Sequence, residues 1–249
     1  MIKYKRIIKK ILIVAFWLLA WQIAFSLLNK NLLIAMPTPV TTVQAFISLA
    51  GEKEFWLSAA YSLIRIVLGF GCAVIIGTVF AVAANKFSVI SAVFSPILRL
   101  MRAVPVAAFI ILVFLWVSKD YIPQLIAFLT VLPIIWLTTE QALRGVDKGL
   151  TEMARVMGLG GFNTFRYIVF PAVLPSYSAS LITGLGFAWK SGVAAEVICR
   201  SRDSLGDMLV VSQSSVEYSR VFAITAVIII FSIALEGALK LLIGKGVAK

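Results

Sequence analysis

Residues 59–84 read AAYSLIRIVLGFGCAVIIGTVFAVAA, a run interrupted by one charge, Arg65. About 20 consecutive apolar residues suffice to carry a helix through the hydrocarbon core of a bilayer. This run is longer, and it is apolar on every face rather than along one stripe, so it reads as a membrane span and not as a surface helix. The rest of the chain shares the bias. Of 249 residues 61% are hydrophobic and only 14% charged, with a mean hydropathy of +1.01. Soluble domains carry about 25% charged and about 45–50% apolar residues. A soluble enzyme is thereby excluded, as is a disordered chain. Histidine is absent, which removes His-based triads and His-ligated metal sites, and Cys72 and Cys199 alone cannot build a four-cysteine zinc site. No metal site is expected. The two cysteines fall at different depths and read as separate packed thiols.

Working outward, six such stretches occur, at 11–28, 59–84, 97–117, 121–139, 172–198 and 221–243. The expected fold is an all-α polytopic membrane protein with six transmembrane helices. Residues 1–10 form a cytoplasmic N-terminus and 11–249 a single transmembrane domain. The first stretch follows Lys3, Lys5, Arg6, Lys9 and Lys10, as a signal peptide would. Its apolar run is longer than a signal peptide's and no A-x-A-like cleavage site follows, so it reads as an uncleaved anchor.

Charge sets the orientation. With the N-terminus in the cytoplasm and six alternating spans, 15 Lys and Arg fall inside and six outside. Three acidic residues fall inside and six outside, so the whole net charge of +12 lies on the inner face. Both termini are then cytoplasmic. In this setting the basic excess is an orientation signal and an attraction to anionic lipid, not a nucleic-acid surface.

Most connections between spans are short, but the fourth and fifth are joined by residues 140–171 on the cytoplasmic side. Leu143, Val146, Leu150, Met153 and Met157 recur there at helical spacing. Asp147 is a suitable N-cap, Gly158, Gly160 and Gly161 end the helix, and a second short helix is expected over 164–170. Two readings of this knuckle stand on periodicity alone. Its apolar stripe lies on lipid or on the protein's own spans, or it enters a groove on another protein.

The residues carry more than periodicity. Glu152-Met153-Ala154, then Gly158, then Ile168-Val169-Phe170-Pro171 have the spacing of E-A-A–x3–G–x9–I-x-L-P. This resembles the cytoplasmic loop of binding-protein-dependent ABC importer permeases, with Met153 in place of the first alanine and Phe170 in place of the leucine. Further stretches resemble the nitrate, sulfonate, taurine and bicarbonate branch of that family. They are Met36-Pro37-Thr38-Pro39, Ser62-Leu63-Ile64-Arg65 with Gly69, Arg102-Ala103-Val104-Pro105, Val146-Asp147, Ala194-Ala195-Glu196 and Leu205-Gly206. The likeness spans about residues 35–240. It implies a permease that works as a pair, most simply a homodimer, in a bacterial or archaeal inner membrane. It also implies an extracytoplasmic substrate-binding protein and a coupling helix that docks into a cytoplasmic ATPase dimer. Glu152, Met153, Ala154, Met157, Gly158, Ile168 and Pro171 are then the ATPase-coupling residues. The chain contains no G-x-x-x-x-G-K-[ST] loop, so ATP and Mg are expected on a separate chain and no cofactor or catalytic residue on this one.

Within the spans, Gly69, Ala73, Gly77 and Ala81 form one stripe of small residues and Ser176, Ser180, Gly184, Ala188 and Gly192 another, the kind that lets helices approach closely. Pro105 and Pro133 are expected to kink the third and fourth spans. Ionisable groups inside a membrane usually face protein or water. Lys190, with Trp189 beside it, Arg65 and Glu196 are the candidate translocation-path residues. Lys190 lies opposite the second stripe. It either attracts an anionic solute or is neutralised by a partner such as Glu236. Arg65 suits a role holding backbone carbonyls, and Glu196 an outer gate or an interfacial charge. The expected function is passage of a small anion such as a sulfonate or nitrate. A vitamin-precursor importer of the same type, an ion-gradient-driven secondary transporter and a membrane scaffold are the competing readings.

Overall fold

The computed structural model describes residues 2–28 and 37–247. Met36, quoted above, lies outside the described residues. Every regular element among the described residues is helical. In order these are α1 (Ile2–Leu28), α2 (Pro39–Ala50), α3 (Lys53–Lys86), α4 (Ser88–Ala103), α5 (Val106–Phe114), α6 (Ile122–Arg144), α7 (Lys148–Val156) and α8 (Gly161–Thr164). A π-turn over Phe165–Val169 then leads into α9 (Phe170–Cys199), followed by α10 (Leu205–Ser214) and α11 (Tyr218–Val247).

Among the described residues four helices are long and apolar enough to cross a membrane: Lys53–Lys86, Ile122–Arg144, Gly161–Cys199 and Tyr218–Gly244. In α1 the described residues include a shorter apolar helix, Ala15–Leu27. The third span, expected over 97–117 with a kink at Pro105, is broken there and not merely kinked. Helices α4 and α5 meet at a bend of 104°. Pro105 has no N–H to give, and the residue before a proline is driven out of the helical region. Val104 accordingly is extended, with φ −74° and ψ 129°. Pro133, by contrast, is accommodated inside α6 without ending it.

The core is built by α3, α6 and α9. Both small-residue stripes pack inside this one chain. A Cβ on Gly69 would fall on the Gln124 carbonyl oxygen of α6, and one on Gly77 would press on Ile135. On α9, Gly184 faces Val131 and Gly192 faces Ile66 of α3. The helices therefore approach backbone to backbone, with Ile66, Val131, Ile135, Ala188 and Trp189 filling the space between them. Helix α11 closes the bundle on α9, where the Trp189 indole donates to the Ile228 carbonyl at 2.9 Å and meets the Phe231 ring edge-on. Helix α2 is capped by reciprocal Thr38 and Thr41 bonds, and its end is tied to α11 through the Arg220–Glu52 pair, 2.6 Å apart.

Helix α4 is held against α3 and α6 by a cluster in which Phe94 packs on Phe80 and Trp136. Glu140, read from the sequence as part of the cytoplasmic loop, belongs to α6 and is buried. Its carboxylate accepts from Ser91 at 2.7 Å and from Trp136 at 3.0 Å, and it pairs with Arg144 at 2.6 Å. Of the cysteines, Cys199 is packed as expected but Cys72 is exposed.

Candidate functional site

At one end of the bundle the chain leaves α6 and turns through α7 before re-entering as α9. The Asp147 side chain caps α7 by accepting from the Gly149 N–H at 2.8 Å. The helix ends in a Schellman motif: the Leu159 N–H donates to the Ala154 carbonyl at 2.9 Å and the Gly158 N–H to Arg155 at 3.0 Å. Gly158 sits at φ +74°, in the left-handed region that a side chain disfavours. The separate helix expected over 164–170 is absent. Instead α8, the π-turn and α9 run on as one rod, Gly161–Cys199, with Pro171 directly after the π-turn, at the second residue of α9. The rod begins at the knuckle itself.

The expected coupling residues divide. Met153 is about half exposed, Met157 is 70% exposed and Glu152 is open to solvent. Ala154 is completely buried, so it seats α7 on the rest of the chain and offers no outward contact. Ile168 is half-buried and Pro171 exposed. Two apolar side chains missed in the sequence are more exposed than Met153 or Met157: Val156 at 88% and Phe162 at 73%. The period that selected Met153 also selects Val156, three residues on. Phe162 lies beyond the glycines, where no helical period connects it to α7.

The opposite end of the bundle is closed by a polar cluster. Glu196 of α9 is fully buried. Its Oε2 accepts from Ser62 Oγ of α3 at 2.9 Å and from the Gly206 N–H of α10 at 3.2 Å. Ser62 in turn accepts from the Leu205 N–H at 3.0 Å. Gly206 is packed so closely on Glu196 that no side chain fits there. The Arg65 guanidinium donates to the Arg202 carbonyl at 2.8 Å, holding backbone as the sequence suggested. Ser201 Oγ donates to the Lys119 carbonyl at 2.7 Å and the Arg202 N–H to Asp120 at 3.1 Å. Three separated stretches, Ser62–Arg65, Ala194–Glu196 and Leu205–Gly206, thus converge on one buried junction. Glu196 and Arg65 fasten α3, α9 and α10 together in that junction.

Of the remaining path candidates, Trp189 is covered by α11 and presents no surface. Lys190, one residue on, is exposed and makes no ion pair among the described residues. Glu236 lies instead against Gly186.

A bundle of long apolar rods, with a polar lock at one end and an exposed apolar knuckle at the other, defines a polytopic helical membrane component. The chain matches the family model for the binding-protein-dependent transport system inner membrane component over residues 73–245, and it belongs to that family. It is 32% identical to the putative aliphatic sulfonates transport permease protein SsuC of Escherichia coli (strain K12), covering 72% of this chain and 68% of that protein. It is 27% identical to the taurine transport system permease protein TauC of the same organism, covering 89% of this chain and 82% of that one. The fold is shared with the crystal structure of an amino acid ABC transporter with histidines. The TM-score is 0.60 at 17% identity, covering 84% of this chain and 95% of that one.

Proposed function

We propose that this chain is the permease subunit of an ATP-driven importer for a small sulfonate-like anion, and that α7 is the helix through which a separate cytoplasmic ATPase drives it. The observation that carries the coupling role is the exposed apolar set Met153, Val156 and Met157 on a helix anchored by buried Ala154 and stopped at Gly158, with exposed Phe162 following in α8. A solvated loop would not keep such a surface in water. Helix α9 starts at the knuckle, so a push on α7 is delivered directly to a rod that spans the membrane. The ATPase holds the ATP and Mg, and this chain transmits force.

On this reading α1 is the first span and the broken pair α4–α5 the third, which gives six crossings with both termini inside. Two copies pair around the path, and an extracytoplasmic binding protein delivers the solute to the end closed by Glu196. Lys190 supplies positive charge on the open face of α9, consistent with the sulfonate and taurine named for the relatives. Reconstitution with the co-purifying ATPase and binding protein tests the proposal. Uptake of labelled taurine or an alkanesulfonate into proteoliposomes requires ATP on the ATPase side and is lost in Lys190→Met but retained in Lys190→Arg. Uptake that persists without ATP, or that follows an imposed ion gradient, contradicts it.

A further inference from the structure

The rod Gly161–Cys199 changes character along its length. From Gly161 to Ala172 no residue is buried, and Val173 is the first that is. Beyond it the rod is clamped. Tyr177 shares a 3.0 Å hydrogen bond with Thr78 of α3, and Ser180, Gly184, Ala188 and Gly192 are all buried. The free arm and the clamped shaft meet where the helix is weakest. The π-turn over Phe165–Val169 closes with the Phe170 N–H donating to the Phe165 carbonyl, five residues back instead of four. Pro171 and Pro175 follow, and neither has an N–H. The Tyr167 and Pro171 carbonyls therefore lack the donor that an unbroken helix supplies four residues on. A widened turn and interruptions of the hydrogen-bond ladder are the usual places for a helix to bend.

A cavity of about 280 Å³ lies beside this weak segment. Phe165, Val169 and Phe170 of the arm line one side, and Val82 of α3 with Thr139 and Leu143 of α6 line the other. Two features of its walls are unusual for a packed interior. Phe165 and Phe170 touch, with ring centroids 6.2 Å apart, yet each stays about half exposed. Thr139 is buried, and its hydroxyl has no hydrogen-bond partner among the described residues. Thr130 on the same helix, by contrast, donates to the Ile126 carbonyl at 2.8 Å. Close packing and paired polar groups are the rule inside proteins. Movement of the arm toward α3 and α6 buries both rings and brings new atoms to the Thr139 wall.

We infer that residues 165–175 form a joint at which the arm carrying the knuckle swings into this cavity, while the shaft beyond Val173 keeps its packing. The position seen here is the open one. In the closed one Phe165 and Phe170 press on Val82 and Leu143. The inference rests on the reading of α7 as the ATPase contact and adds to it where the stroke is converted. The first part of the stroke closes the joint, and only the remainder moves the shaft.

The test is pulsed electron spin resonance on the permease in lipid nanodiscs, alone and with its ATPase, in a background without Cys72 and Cys199. Spin labels on Ile75→Cys/Tyr167→Cys report the arm against α3, and labels on Ile75→Cys/Phe187→Cys report the shaft; all three positions are exposed. In the permease alone the joint predicts a distance distribution roughly twice as broad for the arm pair as for the shaft pair. A non-hydrolysable ATP analogue with the ATPase narrows and shifts the arm distance and leaves the shaft distance unchanged. Pro175→Ala restores a backbone donor and favours the helix. It should narrow the arm distribution without nucleotide and lower uptake per ATP hydrolysed about threefold, at unchanged affinity for the ATPase. Equal widths for the two pairs, with and without the analogue, overturn the joint. So does an arm distance that the analogue leaves in place in a complex competent for uptake, or wild-type uptake per ATP in Pro175→Ala. A broad arm distribution in a permease that binds no ATPase leaves the joint standing and overturns the coupling reading.

Discussion

Gly69 and Gly71 lie two residues apart on α3, about 200° around the helix, and differ in everything around them. A Cβ at Gly69 would land on the backbone of α6, whereas one at Gly71 meets nothing within 4 Å. Gly69→Ala should therefore destabilise the bundle by about 1–3 kcal/mol, the usual cost of overpacking, while Gly71→Ala is neutral or slightly stabilising. Thermal unfolding of the two variants in detergent, side by side, measures the difference. The small-residue spacing on α3 was readable in the sequence, and so was its use for packing. Which helix it met was not, because spacing carries no information about the partner. Glu196 shows the same limit from the polar side. The sequence marks it as an intramembrane charge, but its partners lie 134 residues back at Ser62 and 10 ahead at Gly206. Glu196→Ala leaves Ser62 and the Gly206 N–H without their acceptor, at about 1–3 kcal/mol for each group left unpaired. Glu196→Gln keeps an acceptor in place and should lose markedly less in the same melting experiment.

At the scale of single elements, α7 was the most legible and the α4–α5 pair the least. The cap at Asp147, the apolar period and the stop at Gly158 are local signals, and each is met by a hydrogen bond or a backbone angle in the fold. The sequence did not show that Ala154 faces inward, since an alanine fits either side of an amphipathic helix. Pro105 was visible, but a kink and a break share one signal. The outcome depends on whether α4 finds its own packing, and Phe94 and Leu98 supply it against Trp136 and Ala81. At Gly158 the strain of a side chain at positive φ amounts to about 1–2 kcal/mol. Gly158→Ala should therefore loosen the end of α7 and weaken ATPase binding. Gly160→Ala and Gly161→Ala, which have open space and no positive φ, should not. Affinity of the ATPase for detergent-solubilised permease, measured for all three variants, checks this.

At the scale of the whole molecule, the +12 charge and the placement of the knuckle make one statement about direction. The basic ends of α6 and α9 and the knuckle lie together, and the Glu196 junction lies at the other end. Single cysteines placed at Met157 and Asp203 in a background without Cys72 and Cys199 should react with a membrane-impermeant maleimide from opposite sides. Met157→Cys should label only in inverted vesicles and Asp203→Cys only in intact cells. Labelling of both from one side would contradict the topology. The sequence supplies the expected direction because charge is read by counting. It did not reveal how α3, α6 and α9 lock into one body, which depends on contacts between distant stretches.

The central claim is that the knuckle is the handle gripped by a separate ATPase. A photoreactive amino acid at Val156 or Met157, irradiated in native membranes, tests it most directly, with Phe187 on the outward face of α9 as the control position. The account predicts covalent capture of a P-loop ATPase from positions 156 and 157 and none from 187. An ATPase that co-purifies with the permease but cross-links only elsewhere, with positions 156 and 157 capturing lipid alone, would contradict it.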